Sequence, residues 1–276
     1  MTDSFQLKAP FLHVIIATDG SKLAGIALAG GATLAARTQA ELHVFHAASD
    51  TAGKAVAIRQ AADLLKDKPY KLIIRDVPSG GSAVNEIGSY ATEVGNAVVA
   101  IGTHGRGGMG TTLLGSTAVD LVGQPDRPIM AYGPGAGAPM AIERIVACVD
   151  GSEFSELSIS EGARWAVALQ AHLWVIQVVP PNLPPFVTAF ESTYVHNLSR
   201  ELEGFGIKVD WDVLHSLNPA RSIIEGFGED AATMVVMATH GRRGLKRVLL
   251  GSVATDVVKE AWGPVALIRP NEDPRD

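Results

Sequence analysis

The chain is poor in cysteine. Cys148 is the only one in 276 residues, so no disulfide can form within the chain. This composition is typical of a reducing compartment, and we expect the protein in the cytoplasm. The chain also lacks the apolar run of about 18 residues that a membrane helix needs. Met1–Pro10 has neither the basic start nor the apolar core of a secretion signal, so we expect no membrane partner.

The chain has fewer positively charged residues than negatively charged ones. The chain has 23 Lys and Arg against 29 Asp and Glu, a formal net charge of −6. Proteins that bind nucleic acid are usually basic, so we expect no nucleic-acid partner. Apolar residues, by contrast, make up 47% of the chain. That is enough to build two globular cores and argues against disorder.

The chain contains an internal repeat. Residues 101–117 read IGTHGRGGMGTTLLGST, and residues 237–253 read MATHGRRGLKRVLLGSV. The triplet Asp-Gly-Ser that begins at Asp19 recurs 131 positions later, at Asp150. A period of this length corresponds to a whole domain, since solenoid repeats run at about 20 to 50 residues. We expect two domains, residues 1–135 and 142–276, with a Gly- and Pro-rich linker at about residues 133–141.

Both halves alternate apolar strands with helices. The strands predicted in the first half are Phe11–Thr18, Glu41–Ala47, Tyr70–Val77, Ala97–Gly102 and Pro128–Tyr132. The second half repeats this order, with an inserted stretch at Pro180–Pro185 that is either a lid over a site or a spacer. Strands that are apolar throughout are covered on both faces, so the pattern predicts an α/β fold with parallel strands.

A glycine-rich turn follows the fourth strand. Gly102-Thr103-His104-Gly105 is followed by nine residues and then by Gly115-Ser116. We expect these glycines to permit positive φ and the close approach of a phosphate, while the next helix supplies free N–H groups. A tight turn without a ligand is the alternative, and the recurrence of the spacing weakens it. The turn has no Walker A lysine and does not follow the first strand, as a dinucleotide fingerprint would.

This spacing, together with a first strand that ends in Asp-Gly-Ser, resembles the nucleotide-binding pattern of the universal stress protein family. The resemblance covers essentially the whole chain. It implies two tandem domains, each a five-stranded parallel sheet in the order 3-2-1-4-5 flanked by helices, a Rossmann-like fold of the adenine nucleotide alpha hydrolase-like type. It also implies that ATP, alone or with Mg²⁺, binds at the carboxyl ends of strands one and four. The two halves would pair through their fifth strands, and a homodimer of whole chains is left open.

The resemblance assigns binding positions to both halves. In the first half the nucleotide-binding residues would be Asp19, Ala47, Gly102, Gly105, Gly115, Ser116 and Thr117. In the second half they would be Asp150, Val178, Gly241, Gly251, Ser252 and Val253. Ala238 replaces the first glycine of the pattern, so we expect the second site to be the weaker one. Its extra basic residues, Arg242, Arg243, Lys246 and Arg247, are read equally well as a solvated helix face.

We expect no catalytic residue and no metal ligand from protein side chains. His104 and His240 occupy matching positions in the two turns, but neither has a carboxylate at motif spacing to orient it as a base. His43 and His46 are expected to point to the same face of the second strand, where core packing or a hydrogen bond is favoured over metal binding. Asp19 and Asp150 could also cap the helices that follow them.

The sequence therefore predicts an ATP-binding stress-response regulator rather than a dedicated enzyme. The alternative is a scaffold that binds a partner protein and in which one or both pockets are vestigial. A small-molecule hydrolase or transferase is a third, less favoured class.

Overall fold

The computed structural model describes residues 11–47, 51–78, 81–103, 115–123, 127–137, 140–204, 206–239 and 250–269. Within these ranges the strands are β1 His13–Ala17, β2 Glu41–Ala47, β3 Lys71–Arg75, β4 Ala97–Gly102, β5 Ile129–Tyr132, β6 Arg144–Val149, β7 His172–Val179, β8 Val209–His215, β9 Thr233–Ala238 and β10 Val265–Ile268. The helices are α1 Lys22–Thr38, α2 Thr51–Leu64, α3 Ala83–Val94, α4 Ser116–Val122, α5 Glu153–Leu169, α6 Pro185–Glu203, α7 Pro219–Ile223 and α8 Ser252–Glu260. Helix α7 continues as a π-helical turn over Ile224–Gly228.

All the described strands belong to one sheet, in the order β3-β2-β1-β4-β5-β10-β9-β6-β7-β8. Each half has the expected order 3-2-1-4-5 with parallel neighbours. The halves join where β5 and β10 pair antiparallel, with Met130 opposite Ala266. The predicted α/β fold and the pairing through the fifth strands are both confirmed.

The sheet is covered on both faces, as the apolar strands predicted. Along β1, Val14 and Ile16 face a cluster formed with α1, α2, α5 and α6, whereas Ile15 faces a cluster formed with α3, α4, α7 and α8. Both clusters run through the two halves without a break. Since successive strand residues point to opposite faces, one apolar run supplies both cores.

Further contacts hold the halves together. The rings of Phe11 and Trp165 lie 4.5 Å apart, and both side chains are buried. Arg37 Nη2 donates to the carbonyl oxygen of Leu169 at 2.7 Å. In the segment predicted as a linker, the N–H of Gly135 donates to Lys259 at 3.0 Å. This segment is therefore attached to the second half along the part that the structure describes.

The inserted stretch of the second half leads into a longer helix. Helix α6 has 19 residues, whereas α2, at the same place in the first half, has 14. Gln177 Nε2 donates to Glu191 Oε2 at 2.6 Å, and Tyr194 Oη donates to Glu156 Oε1 at 2.9 Å. These bonds attach α6 to β7 and to the start of α5. None of the described helices combines the length and the apolarity needed to cross a bilayer.

Candidate functional site

The carboxyl ends of β1, β2 and β4 meet at one edge of the sheet. In the parallel register Ala17 lies opposite Phe45 on one side and Ile101 on the other. The residues that follow these positions, Asp19, Ala47 and Gly102, therefore come to the same edge. Gly105 lies outside the described residues, so its predicted role stays a prediction.

The triplet after β1 forms a turn that depends on glycine. Gly20 has φ of 80°, a left-handed conformation that side chains rarely adopt. Asp19 Oδ1 accepts the N–H of Ser21 at 2.9 Å. Ser21 is the N-cap of α1, and its Oγ accepts the N–H of Ala24 at 3.2 Å. Ser21 is thus the cap of α1, and Asp19 stabilises the turn before it by accepting a backbone hydrogen bond.

The triplet of the second half folds in the same way. Gly151 has φ of 82°. Asp150 Oδ1 accepts the N–H of Ser152 at 3.0 Å, and Ser152 Oγ accepts the N–H of Ser155 at 3.2 Å. The repeat seen in the sequence is therefore a repeat of backbone geometry at the two corresponding edges.

Gly102 matters for its small size. A Cβ atom at this position would lie 2.7 Å from the carbonyl carbon of Leu23 and 2.8 Å from the nitrogen of Ala24. The end of β4 therefore packs directly on the first turn of α1. Glycine at the pattern positions permits positive φ, but Gly102, Gly115 and Gly251 do not adopt it. Gly115 has φ of −62° and Gly251 of −57°, and Gly102 is not in the left-handed region either.

The ends of the glycine-rich turn are joined by a backbone hydrogen bond in both halves. The N–H of Gly115 donates to Thr103 at 2.7 Å, and that of Gly251 donates to Thr239 at 3.0 Å. These glycines are the N-caps of α4 and α8, and among the described residues no side chain caps either helix. Within the described part of the chain, no side chain accepts the first-turn N–H groups of these helices. Ser116 and Thr117, like Ser252 and Val253, lie in these first turns.

The two edges differ in charge, which the sequence reasoning missed. Helix α1 begins with Lys22 and has no acidic residue in its first turn, whereas the first turn of α5 carries both Glu153 and Glu156. Burial, and the hydrogen bond to Glu156, raise the pKa of Tyr194 in this second region. The signal was present in the sequence, because Glu153 stands 131 positions after Lys22, the spacing of the Asp-Gly-Ser triplets.

The other second-half positions have mixed outcomes. Val178 lies near the carboxyl end of β7 and is partly buried against the same apolar cluster as Ala47. Ala238 ends β9 and is half-buried. Gly241 lies outside the described residues, as do His104, His240 and the four basic residues at 242, 243, 246 and 247.

The two histidines of β2 do not share a face. His43 and His46 are three positions apart, so strand alternation points them to opposite sides, and the expectation of a common face is wrong. His46 is buried, and its Nδ1 lies 2.7 Å from the carbonyl oxygen of Thr18. His46 therefore supports the turn that begins with Asp19.

Comparison with known proteins places this geometry in a family. The model of the universal stress protein family matches residues 10–132 and 141–269. A universal stress protein of Mycolicibacterium smegmatis is 32% identical over 184 residues, which cover 63% of this chain and 62% of that protein. One of Methanocaldococcus jannaschii is 30% identical over 142 residues, or 46% of this chain and 82% of the relative. The match thus spans about three fifths of the mycobacterial relative's length.

Solved structures agree on the fold. A universal stress protein from Archaeoglobus fulgidus superposes with a TM-score of 0.67 at 15% identity, covering 98% of this chain and all of that one. A protein of unknown function from Pseudomonas aeruginosa gives the same TM-score at 18% identity, covering 97% and 95% of the two chains. With the family model matched twice in succession, the chain belongs to the universal stress protein family as a tandem member with two such domains.

Proposed function

We propose that the first half binds ATP at the carboxyl ends of β1 and β4, and that the protein is a nucleotide-dependent regulator of the stress response rather than a dedicated catalyst. Some members of the family bind adenine nucleotides. The observation that carries the proposal for this chain is the contact of Gly102 with Leu23 and Ala24, which brings the glycine-rich turn beside the Asp-Gly-Ser turn.

The described residues fit an anionic ligand at this edge. The start of α4 has no side-chain cap among them, and Lys22 adds a positive charge at the start of α1. A helix start favours negative charge through its N–H groups and its dipole. Asp19 lies at the same edge, and the family resemblance predicts that it lies near the adenosine. Binding of Mg²⁺ together with ATP belongs to the same proposal.

The second half fits a triphosphate less well. Ala238 adds a methyl group where the first half has Gly102, and Glu153 and Glu156 place two carboxylates in the first turn of α5. Carboxylates repel phosphate, and the helix dipole offsets only part of that repulsion. We therefore assign nucleotide binding to the first half and regard the second pocket as weak or vestigial.

We propose binding without efficient turnover. Hydrolysis needs an oriented water, a base and charge neutralisation on the leaving group. His46 lies near the described part of the site, but it is buried and its Nδ1 faces the Thr18 carbonyl. Steady phosphate release well above that of a Gly115→Val variant would contradict this part of the proposal.

Nucleotide carried through purification provides the first test. Freshly purified protein is heat-denatured, and the supernatant is separated by ion-exchange chromatography. ATP in the supernatant, and a rise in melting temperature when ATP is added, are the expected results. Ligand at a hundred times its Kd adds about 2.7 kcal/mol to the free energy of unfolding, which is readily measured. An empty supernatant without a melting shift would favour the scaffold that binds a partner protein.

A pair of matched variants locates the site. Gly115 and Gly251 have nearly the same φ and ψ, −62° and 148° against −57° and 150°, and valine can adopt both conformations. We expect Gly115→Val to release the nucleotide, because its side chain crowds the start of α4, and Gly251→Val to retain it. Equal nucleotide content in both variants would contradict the assignment to the first half.

A further inference from the structure

A cluster of three side chains lies at the amino ends of β1 and β2, on the edge of the sheet opposite the proposed nucleotide site. It consists of His13, Glu41 and His43 and is called the His–Glu cluster below. His13 lies opposite Glu41 in the register of β1 and β2, and His43 lies two residues further along β2. Strand alternation therefore places all three side chains on one face of the sheet.

The ligand atoms of the His–Glu cluster converge. His43 Nε2 lies 3.1 Å from Glu41 Oε2, and His13 Nε2 lies 3.7 Å from the same oxygen. One potential ligand atom from each of the three residues lies within 4.8 Å of the other two. In a tetrahedral zinc site with bonds of about 2.0–2.2 Å, ligand atoms stand about 3.3 Å apart. Small rotations of these side chains would reach that geometry.

The outer ring nitrogens already have partners. His13 Nδ1 lies 3.0 Å from the carbonyl oxygen of Gly95, and His43 Nδ1 lies 2.9 Å from Tyr90 Oη. A carbonyl oxygen only accepts hydrogen bonds, so His13 Nδ1 carries the proton and its Nε2 presents a lone pair. Histidines that bind metals donate their outer N–H to partners of this kind. His43 Nε2 donates to Glu41 Oε2 in the metal-free structure, so metal binding would move the His43 proton to Nδ1, which would then donate to Tyr90 Oη.

We propose that His13, Glu41 and His43 bind a divalent transition-metal ion, with zinc the best match, through the two Nε2 atoms and the carboxylate. Two imidazoles and one carboxylate suit zinc, whereas calcium and magnesium prefer sets made of oxygen alone. The three ligands leave a fourth position for water.

In the metal-free structure, Lys71 supplies the positive charge beside Glu41 that the metal ion would otherwise supply. Its Nζ donates to Glu41 Oε2 at 2.6 Å, and its side chain is 62% exposed. An exposed lysine side chain can turn into solvent at little cost, since exposed ion pairs contribute about 0–1 kcal/mol. Metal binding would therefore replace the positive charge of Lys71 beside Glu41 by that of the metal ion.

The second half supplies an internal comparison. The equivalent positions of the second half hold different residues. Arg144 and His172 take the places of His13 and Glu41, and Trp174 and Asp210 take those of His43 and Lys71. His172 Nε2 lies 2.9 Å from Asp210 Oδ2, and no second imidazole occupies these four positions. The His–Glu cluster is thus a feature of the first half and does not follow from the fold that the two halves share.

Zinc titration of the tag-free full chain tests the proposal. After treatment with a chelator, we expect one zinc ion to bind per chain by calorimetry, and cobalt(II) to give a visible absorption band. Loss of an outer-shell partner costs about 10- to 100-fold in affinity, so His13→Ala and Glu41→Gln should each cost at least about 100-fold. His172→Ala is the matched control and should bind as the wild type does. Circular dichroism establishes that each variant is folded.

Two further variants separate metal binding from a structural role. Lys71→Ala should tighten zinc binding, because it frees the carboxylate and removes a positive charge, and Tyr90→Phe should weaken it by about 10-fold. Gly115→Val should leave zinc binding unchanged, so the result does not depend on the proposed nucleotide site. Absence of zinc binding by the wild type, or binding that survives in both His13→Ala and Glu41→Gln, would overturn the proposal.

Discussion

Gly133 lies so close to Val258 that a Cβ atom on the glycine would stand 1.7 Å from the valine carbonyl oxygen. Gly133 directly follows β5, the strand of the first half that pairs with β10, and Val258 belongs to α8 of the second half. The obstacle is main-chain atoms, so no side-chain rotation could relieve it. The docking of α8 against the end of β5 therefore requires glycine at this position.

Replacing Gly133 by alanine should loosen the contact between the halves. Overpacked positions cost about 1–3 kcal/mol, and we expect Gly133→Ala to fall at or above the upper end of that range. Gly137→Ala in the same segment is the control, because a Cβ atom there would meet its nearest neighbours at 3.8 and 3.9 Å, an ordinary contact. Urea unfolding measures both variants. Equal losses of stability would show that the contact at Gly133 is unimportant.

The role of Gly133 shows what local sequence patterns leave out. Glycine and proline at 133–141 predicted a linker, since such residues interrupt helices and strands. Glycine is also required where two backbone segments are in direct contact. The local sequence does not show which distant segment makes that contact. The tight approach of Gly133 to α8 connects residues 125 positions apart, so only the folded chain reveals it.

Elements were predicted best where local signals agree. The bounds of β2 at Glu41–Ala47 and of β4 at Ala97–Gly102 were predicted correctly. The order of the strands came from the family resemblance rather than from periodicity. The meeting of Asp19 and Gly102 at one edge likewise came from the resemblance, and it agrees with the rule that parallel strands share their carboxyl ends.

The His–Glu cluster could not be found in the same way. His13 and Glu41 are 28 residues apart and meet only through the register of β1 and β2. No motif fixes that register, because it is set by packing on both faces of the sheet. The charge difference between Lys22 and Glu153 can be read from the repeat. Its effect on an anion at the sheet edge can be inferred only when the structure places both residues at helix starts.

Glu161 gives a prediction about pH. It is 8% exposed on α5, and burial raises the pKa of its carboxyl group, while Arg164 at 3.2 Å partly opposes this. The folded protein then holds the proton more tightly than the unfolded chain does. Stability should therefore fall as pH rises from the unfolded value of about 4.3 through the raised folded pKa. Glu161→Gln removes the buried charge and should raise the melting temperature at pH 8.

The size of this effect depends on pH. Incompletely compensated buried polar groups cost about 1–3 kcal/mol, so we expect a gain in that range at pH 8 and almost none at about pH 4. Glu201→Gln, at an exposed position on α6, is the control and should change stability little at either pH. Thermal melts across this pH range provide the measurement. A gain that is the same at both pH values would mean that the carboxyl group is not titrating in this window.

Lys22 and Glu153 begin the equivalent helices α1 and α5, which allows a charge exchange between the two halves. An exposed pair of opposite charges contributes about 0.2–1 kcal/mol, so Lys22→Glu, a change of two charge units, should weaken ATP binding by roughly 2- to 30-fold. Lys22 is exposed, and its effect should therefore shrink as salt is added. Calorimetry at low and high ionic strength measures both quantities.

The reciprocal change tests the same charge effect in the second half. Glu153→Lys combined with Ala238→Gly gives the second half the residues that the first half has at these two positions, and it should produce a second, weaker ATP site. Ala238→Gly alone should gain little, because Glu153 and Glu156 remain. Lys22→Gln, with half the change in charge, should show about half the free-energy effect of Lys22→Glu. If the two Lys22 variants weaken binding equally and salt has no influence, the charge at this helix start does not act on the nucleotide.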